Sequence, residues 1–473
     1  MPESKYEPGS FRDRNGRVFY ANDQTYRSLS EAAFTNWKSL VTTSFFVDKM
    51  DAGKIVATRK IDDTGETVDI DGSWAAYLGH QTIPFISYPY EWSFSMLKDA
   101  ALLHLELLLD ALNENMILKD SSAYNIQWTG VNPVFIDIPS FEILPPGEPW
   151  VGYRQFCQLF LYPLLLQAYK DISFHPWLRG NIDGIDPVQI NNLMSVRDMF
   201  RPGVLTNICL QAKLQNQFSR TKKDVKSELK NAGFDKKLIR ANVKRLQKLV
   251  TGLHWRVSES QWSAYTETHS YTNADQERKA AFVEKIAATG NYKLVWDVGC
   301  NTGKFSRIAA RHADYVVAMD ADHLCIDHLY RALKEEDSNN ILPLYMNLAD
   351  PSPDLGWRGR ERKSLASRGS PDLILCLALI HHAVIGANIP VQDFIEWLAS
   401  LNASVVIEFV TKEDIMVKTL LRNKEDQYDD YTTESFEELL GHSFDVIHTE
   451  KLESGTRQLY FISPKHTASK PPL

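Results

Sequence analysis

The stretch Val295-Trp-Asp-Val-Gly-Cys-Asn-Thr-Gly303 decides the fold of the C-terminal half of this chain. An apolar strand runs into a glycine turn and then directly into a helix, and Asp297, Gly299 and Gly303 form the pattern Asp-x-Gly-x-x-x-Gly. Glycine permits backbone geometry that a side chain would block. The open amides at the start of such a helix face a ligand bound beyond the carboxyl ends of parallel strands. The stretch therefore predicts a ligand site at one edge of an α/β sheet.

The chemistry of this turn argues against a dinucleotide. A nicotinamide or flavin dinucleotide site has the pattern Gly-x-Gly-x-x-Gly, which lets a pyrophosphate approach the helix, whereas Asn301 stands where the second glycine would be. Asp297 instead suits a ligand that carries an ammonium group. Asp320 ends the next strand, where a carboxylate accepts hydrogen bonds from ribose hydroxyls. Asp350 follows the third strand, where a polar group can read an adenine amino group.

Strand-like and helix-like segments alternate from about residue 293 onward, which is the pattern of βαβ units and a parallel sheet. Five apolar segments are predicted strands, at 294–298, 315–319, 341–346, 372–379 and 404–410. Two further segments, 444–448 and 459–463, predict a closing hairpin around Gly455. Helices are predicted at 304–312, 323–335 and 436–440, and the charged segment 358–369 is predicted to be a surface loop.

This arrangement resembles the class I S-adenosylmethionine-dependent methyltransferases over about residues 262–463. The resemblance implies S-adenosyl-L-methionine as the cofactor and in-line transfer of its methyl group to an oxygen or nitrogen acceptor. It also implies a Rossmann-like sheet that ends in an antiparallel hairpin. The cofactor-binding residues that it implies lie along the strand ends: Asp297, Gly299, Cys300, Asn301, Gly303, Asp320, Ala321, Asp350 and Leu377.

Two shorter segments carry a narrower resemblance. Asn347-Leu-Ala-Asp-Pro-Ser-Pro-Asp-Leu-Gly-Trp357 and Ala378-Leu-Ile-His-His382 are similar to the nodulation-protein NoeA-related methyltransferases. The similarity extends into the N-terminal half of the chain. It does not identify the acceptor, the methylated atom or the oligomeric state.

Three side chains near the expected cofactor edge are candidates for a catalytic base: His381, His382 and Glu408. Proximity and alignment supply most of the rate of a methyl transfer, but an oxygen or amine acceptor also loses a proton near neutral pH. Structural roles stay open for all three, as a locally hydrogen-bonded helix start or a pocket-wall carboxylate. Three aromatic residues before the first strand either form a lid or simply pack: Trp262, Tyr265 and Tyr271.

A second pattern lies in the N-terminal half. Leu118-Lys-Asp-Ser-Ser-Ala-Tyr-Asn125, followed by Val134-Phe-Ile-Asp137, resembles the catalytic loop of protein kinases and of aminoglycoside and choline phosphotransferases at Asp120, Asn125 and Asp137. The resemblance implies an ATP-dependent phosphotransferase as an alternative function. A non-catalytic kinase-like binding domain and a chance match both stay open, because the brace histidine and a glycine-rich phosphate loop are missing and neither Lys54 nor Lys60 can be assigned as the phosphate anchor.

Length and composition limit the class of protein. The 473 residues predict two or three domains, and no apolar run reaches the roughly 18–20 residues of a membrane span. The N-terminal residues lack the profile of a secretion signal. Five widely separated cysteines argue for reduced thiols rather than a disulfide framework or a zinc site. We therefore predict a cytoplasmic protein that has no bound metal and does not associate with a membrane.

Residues 220–248 hold eleven Lys and Arg residues against three acidic ones, with apolar residues at helical spacing. This predicts one or two basic amphipathic helices broken near Gly233. They either form a solvated connector or bind an anionic partner. The net charge of −8 and the lack of a recognisable module argue against nucleic acid. Both the acceptor and the oligomeric state are left open.

The fold class that follows is α/β, with a Rossmann-like methyltransferase sheet and its closing hairpin, an N-terminal α+β domain with kinase-like features, and a helical connector. A non-catalytic, cofactor-binding scaffold is the third functional alternative. The predicted order along the chain is an N-terminal domain at 1–215, a basic connector and lid at 216–275, the methyltransferase domain at 276–465 and a disordered tail at 466–473.

Overall fold

The computed structural model describes residues 5–22, 24–61, 74–218, 235–256, 273–422 and 424–465. The chain divides into two compact units. The first comprises Met1–Val257 together with Asp354–Arg362, and the second comprises Ser258–Pro353 together with Lys363–Leu473. The division therefore lies at residue 257, within the segment that the sequence predicts to be a connector.

A five-stranded antiparallel sheet opens the first unit. Its strands are β1 (Lys5–Tyr6), β2 (Gly16–Ala21), β3 (Gln24–Leu29), β4 (Thr58–Ile61) and β5 (Ala76–His80). They lie side by side in the order β1-β2-β3-β5-β4. Phe19 is fully buried and stacks on Tyr26 at a ring distance of 5.3 Å, which ties β2 to β3.

Two small antiparallel pairs follow in the same unit. β6 (Met116–Leu118) pairs with β9 (Phe141–Ile143), and β7 (Ile126–Thr129) pairs with β8 (Asn132–Phe135). The kinase-like motif lies on the loops between these strands.

The long helix Phe94–Asn113 is the centre of the helical part of the first unit. The hydroxyl of Ser93 accepts a hydrogen bond from the amide of Met96 and so caps it. Its apolar face includes fully buried Leu97 and Leu108, as its helical period predicts. The other α-helices of the unit are Glu31–Leu40, Ser44–Asp51, Tyr153–Phe156, Tyr162–Lys170, His175–Gly180, Pro187–Leu193, Leu210–Phe218 and Lys236–Thr251, with π-helical turns at Cys157–Leu161 and Leu205–Cys209.

The helix Lys236–Thr251 is the described part of the predicted basic connector. Its apolar stripe, which includes Val243 and Leu246, is buried, and it packs against the helix Phe94–Asn113 within the first unit. The basic side chains lie on the other face, as expected for an amphipathic surface helix. Residues 219–234, with the predicted break at Gly233, lie outside the described residues.

The second unit is built on a seven-stranded sheet. Its strands are β10 (Leu294–Val298), β11 (Tyr315–Asp320), β12 (Ile341–Tyr345), β13 (Leu373–Cys376), β14 (Ser404–Val410), β15 (Phe444–Lys451) and β16 (Arg457–Pro464). The order is β12-β11-β10-β13-β14-β16-β15. β10 to β14 are parallel, and β16 runs antiparallel to both of its neighbours. This confirms the predicted parallel sheet with a closing hairpin.

Helices cover this sheet, and its apolar core includes fully buried Trp296, Leu375 and Val406. This accounts for the nearly continuous apolar runs of the central strands. The helices of the second unit are Asn273–Thr289, Lys304–Ala310, His323–Glu335, Val391–Ser400, Ile415–Leu421 and Thr433–Ser443, with a π-helical turn at His382–Gly386.

Two segments of the second half differ from their sequence prediction. β13 ends at Cys376 rather than at residue 379, because Ala378 turns into the left-handed region with φ +54°. Within the predicted surface loop, Glu361 is buried and belongs to the first unit, where both of its carboxylate oxygens accept hydrogen bonds of 2.7 Å from Arg12. Within the described residues, no helix combines the length and the apolar character that crossing a bilayer requires.

Candidate functional site

The glycine turn after β10 is held against the end of β11. The amides of Gly299 and Cys300 both donate to the carbonyl of Met319, at 2.8 and 3.0 Å. Gly299 and Gly303 adopt φ angles of +82° and +76°, which glycine tolerates without strain. Between them, Asn301 also has a positive φ, of +50°, and asparagine is one of the few side chains that visits this region.

Gly303 has a structural reason to be glycine in addition to its φ angle. A Cβ atom at this position would lie 2.5 Å from Cδ1 of Leu329, on the helix His323–Glu335. Gly303 therefore allows the first turn of the helix Lys304–Ala310 to approach its neighbour. The neighbour that requires the close approach, Leu329, lies 26 residues further along the chain.

Asp320, at the end of β11, joins two loops of the site. One carboxylate oxygen accepts a hydrogen bond of 2.8 Å from the amide of Asn301, and the other accepts one of 2.9 Å from the amide of Asp322. Burial raises the pKa of Asp320 above its ordinary value. The amide of Ala321 is a third backbone donor to this carboxylate. A carboxylate offers about four acceptor positions, so the group retains capacity for a further hydroxyl donor.

Asp297 is 1% exposed, and the hydroxyl of Ser306 donates to its carboxylate at 2.5 Å. Burial raises the pKa of Asp297 to about 6. A buried carboxylate of this kind is stabilised by a cation brought next to it. The side chain therefore has the charge and the surroundings that suit a cationic group.

The remaining predicted cofactor residues lie on the same loops. Cys300 and Leu377 are buried, whereas Ala321 and Asp350 are exposed. Asp350 lies in a turn after β12, where its amide donates to the carbonyl of Asn347 at 3.0 Å. These residues follow β10, β11, β12 and β13, whose carboxyl ends share one edge of a parallel sheet.

His381 and His382 lie just beyond β13, with their ring centroids 4.3 Å apart. His381 is 1% exposed, and its Nδ1 atom has no hydrogen-bond partner among the residues that the structure describes. Burial, together with the charges of Arg457 and Lys279 and the neighbouring His382, holds the pKa of His381 well below its usual value. The ring is therefore neutral at pH 7 and presents an unused nitrogen. His382 is exposed.

Glu408 is fully buried within β14, and both of its oxygens are engaged. Lys279 Nζ donates to one oxygen at 2.5 Å, and Arg457 Nη1 donates to the other at 3.3 Å. Arg457 also forms a two-pronged pair with Asp414, at 2.8 and 3.0 Å. Glu408 would have to leave two ion pairs to act as a base, so its geometry is that of an anchor for the two cations.

Sequence reasoning missed Lys279, Arg457 and Asp414. One signal was available for Lys279, because it lies one helical turn before buried Phe282 and Val283 and so falls on the apolar face of its helix. A lysine in such a stripe requires a partner. Nothing in the sequence identifies that partner as Glu408.

The kinase-like residues of the first unit also come together. Asn125 Nδ2 donates to the hydroxyl of Ser140 at 3.3 Å, and that hydroxyl donates to the carboxylate of Asp137. Burial and the charge of Asp137 raise the pKa of Asp120. Arg27 on β3, which the sequence did not point to, closes the cluster with an ion pair of 2.7 Å to Asp137. Within the described ranges, no group of three or more His, Cys, Asp or Glu side chains has a geometry that could hold a metal ion.

The aromatic residues predicted to form a lid, Trp262, Tyr265 and Tyr271, lie outside the described residues, as does the predicted tail at 466–473. All five cysteines are described, and all are free thiols.

Comparison with solved structures finds methyltransferases with low TM-scores. The N-methyltransferase NodS from Bradyrhizobium japonicum WM9 is 11% identical, with a TM-score of 0.29 over 41% of this chain and 98% of NodS. The magnesium protoporphyrin IX methyltransferase of Synechocystis PCC 6803, solved with bound SAH, is 17% identical, with a TM-score of 0.30 over 40% of this chain and 84% of that protein. TM-scores this low carry no argument of their own.

No protein-family model matches the chain. The nodulation protein NoeA of Rhizobium meliloti (strain 1021), in contrast, is 35% identical over 455 residues, which is 96% of this chain and 94% of that protein. The strand order of the second unit, its glycine turn and the acids at its strand ends have the arrangement of the class I methyltransferase fold. The chain therefore belongs to the family of the nodulation protein NoeA, and its second unit has the fold of an S-adenosylmethionine-dependent methyltransferase.

Proposed function

We propose that the second unit transfers the methyl group of S-adenosyl-L-methionine to an oxygen or nitrogen acceptor. The observation that carries the proposal is the set of polar groups at the carboxyl edge of the parallel strands. Asp297 is buried, and no cation among the described residues contacts it directly. Asp320, beside the glycine turn, can still accept a further hydrogen bond. These groups suit the ammonium and ribose ends of the cofactor respectively.

In this proposal the cofactor, when bound, supplies an electrophilic methyl group on a positively charged sulfur. Asp297 and Asp320 bind its two ends and thereby fix the direction of the methyl group, which is where most of the rate arises. Nδ1 of His381 accepts the proton of the acceptor as the new bond to carbon forms, and the electron pair of the broken bond stays with sulfur. His381 suits this role because it is neutral and lacks a partner at that atom.

The experiment is calorimetric titration of the intact protein with S-adenosylmethionine and S-adenosylhomocysteine, before and after Asp320→Ala. Binding by the wild type and its loss in the variant are the expected results. Failure of the wild type to bind either compound would refute the proposal. Incubation with isotopically labelled methyl donor and a metabolite extract then identifies the acceptor by a mass gain of one methylene.

An ATP-dependent phosphotransferase activity of the first unit is the second candidate. The convergence of Asp120, Asn125 and Asp137 supports it, and the ion pair from Arg27 to Asp137 counts against it because the guanidinium lies where a cation would bind. Magnesium-dependent ATP hydrolysis that Asp137→Ala abolishes would favour this candidate. A non-catalytic scaffold is the third candidate, and cofactor binding without methyl transfer across a broad acceptor panel would favour it.

We also propose a cytoplasmic location. The support is chemical: five cysteines remain unpaired, and reduced thiols are typical of a reducing compartment. Fractionation of cells that express the full chain, with an antibody against it, tests this location.

A further inference from the structure

We propose that Lys279 recognises the carboxylate at the amino-acid end of the cofactor, opposite Asp297, which takes the ammonium of the same group. This inference rests on the proposed methyltransferase function and adds a residue to it. The residue lies on the helix Asn273–Thr289, before the first strand of the sheet and outside every motif that the sequence revealed.

The position of the Lys279 ammonium group is well defined. Lys279 is 3% exposed, and its Nζ lies 2.5 Å from Glu408 and 4.8 Å from the ring centroid of Phe305. Phe305 belongs to the first turn of the helix that follows Gly303. Nζ is therefore held between the fifth parallel strand and the glycine turn, where the polar end of a ligand lies in this type of sheet.

The charges around Nζ also match this ligand. An amino-acid group carries an ammonium and a carboxylate on one carbon, so it is bound best by a carboxylate and a cation placed side by side. Asp297 and Lys279 are close enough that the charge of each shifts the pKa of the other. Lys279 therefore places a cation beside the carboxylate of Asp297, and Glu408 holds that cation in position.

Arg457, the other buried cation, is less suited to this role. Its guanidinium forms the two-pronged pair with Asp414 and a further contact with Glu408. Such paired contacts fix its orientation. Glu408, shared by the two cations, instead holds the side chain of Lys279 in place, which makes Glu408 a positioning residue.

A purely structural ion pair is the competing explanation. Buried ion pairs are weak evidence for stability, because apolar replacements of similar size are often neutral. The two explanations differ in what they predict for ligand discrimination. A structural pair affects all nucleoside ligands alike, whereas a carboxylate-binding lysine affects only the ligands that carry the carboxylate.

The test is calorimetry on the full chain with three probes. These are S-adenosylmethionine, decarboxylated S-adenosylmethionine, which lacks only the carboxylate, and 5′-methylthioadenosine, which lacks the whole amino-acid group. The wild type is expected to prefer the intact cofactor over the decarboxylated form. Lys279→Met is expected to weaken binding of the intact cofactor roughly ten- to hundredfold, the usual range for hydrogen bonds to a charged group. It should leave the other two probes unchanged and erase the preference.

Lys304→Met is the matched control. Lys304 is exposed, and its ammonium lies 5.7 Å from the same Phe305 ring, so its removal should preserve the preference. Lys279→Gln provides a second neutral variant if the methionine variant does not fold. Equal weakening of all three probes, or an intact preference in either neutral variant, would overturn the assignment of Lys279. A wild type that binds none of the three probes would instead refute the proposed function itself.

Discussion

The acids at the predicted ligand sites of the two units have opposite partners. In the second unit, Asp297 contacts a hydroxyl and Asp320 contacts backbone amides, and no cation of the described chain is in direct contact with either. In the first unit, Asp137 is closed by the guanidinium of Arg27 at 2.7 Å. A carboxylate that binds a positively charged ligand has no cation of the protein in direct contact with it. A carboxylate that is already neutralised by a cation of the protein has no need of such a ligand.

The same contrast holds within the second unit. His381 keeps a nitrogen without a partner among the described residues, while Glu408 has a cation on each oxygen. By this comparison, acceptor atoms that are open in the free protein act on ligands, whereas carboxylates that are already paired with cations position other side chains. Five substitutions test this distinction.

The largest expected effect is on cofactor binding by Asp320→Ala. The substitution removes the ribose acceptor and also releases the amides of Asn301 and Asp322 that the carboxylate holds. We expect the affinity for S-adenosylhomocysteine to fall by about a hundredfold or more, since hydrogen bonds to a charged group contribute about 1.5–3 kcal/mol each. Calorimetry measures this, with Glu335→Ala on an exposed helical position as the control. An affinity within threefold of the wild type would contradict an open role for Asp320.

His381 and Glu408 provide the second test. We expect His381→Ala to lower kcat by roughly a hundredfold, as for removal of a general base, without changing the affinity for S-adenosylhomocysteine. Glu408→Gln should mainly lower the melting temperature, because it leaves Lys279 and Arg457 without their shared carboxylate. Single-turnover methyl transfer measures the catalytic effect of His381→Ala, and thermal unfolding measures the stability effect of Glu408→Gln. If Glu408→Gln removed the pH dependence of kcat at an unchanged melting temperature, the assignments would be reversed.

Asp297 predicts a trade-off between stability and binding. Its pKa is raised to about 6 in the folded chain, so its protonated form is favoured by folding, and this stabilisation is lost as the pH rises from about 4 to about 6. Asp297→Asn should therefore stabilise the ligand-free protein at pH 7 by about 1–3 kcal/mol. It should also weaken S-adenosylhomocysteine binding roughly tenfold at pH 7.

Denaturant unfolding and calorimetry at pH 5 and pH 7.5 check both effects. In the wild type, ionisation of Asp297 should strengthen binding between these pH values, and the variant should lose that dependence. Lys279 and Asp320 are the other charged groups near Asp297, and both remain in the variant. An asparagine variant that is less stable at pH 7 than the wild type would show that the free protein does not strain this carboxylate.

The sequence predicted most of the second unit because its structure depends on local patterns. Apolar runs bounded by turns defined β10 to β14, and the spacing from Asp297 to Gly303 predicted a ligand site at the glycine turn. One departure has a physical reason. β13 ends early because Ala378 adopts a left-handed backbone conformation, which is rare for alanine and cannot be read from the sequence.

The parts that sequence reasoning missed depend on contacts between distant residues. Lys279 meets Glu408, and Arg27 meets Asp137, only after the chain has folded. A buried cation on an apolar stripe is visible in the sequence, but its partner is not. In the first unit, strands β1 to β3 lack the nearly continuous apolar runs that mark the parallel strands of the second unit. Only the loop motif at Asp120, Asn125 and Asp137 was visible there.

Arg27→Met is expected to have the smallest effect. The pair with Asp137 is only partly buried, with side-chain exposures of 10% and 19%, so its loss should lower the free energy of unfolding by about 1–2 kcal/mol. If Arg27 occupies the place of a cation, magnesium with ATP should restore part of this loss in the variant and change the wild type little. Thermal unfolding with and without magnesium and ATP measures the difference, and Arg17→Met on the neighbouring strand is the control. Equal stabilisation of both proteins by magnesium and ATP would mean that Asp137 can bind a cation even in the presence of Arg27. Asp137 would then not differ from Asp297 and Asp320 in its access to a ligand.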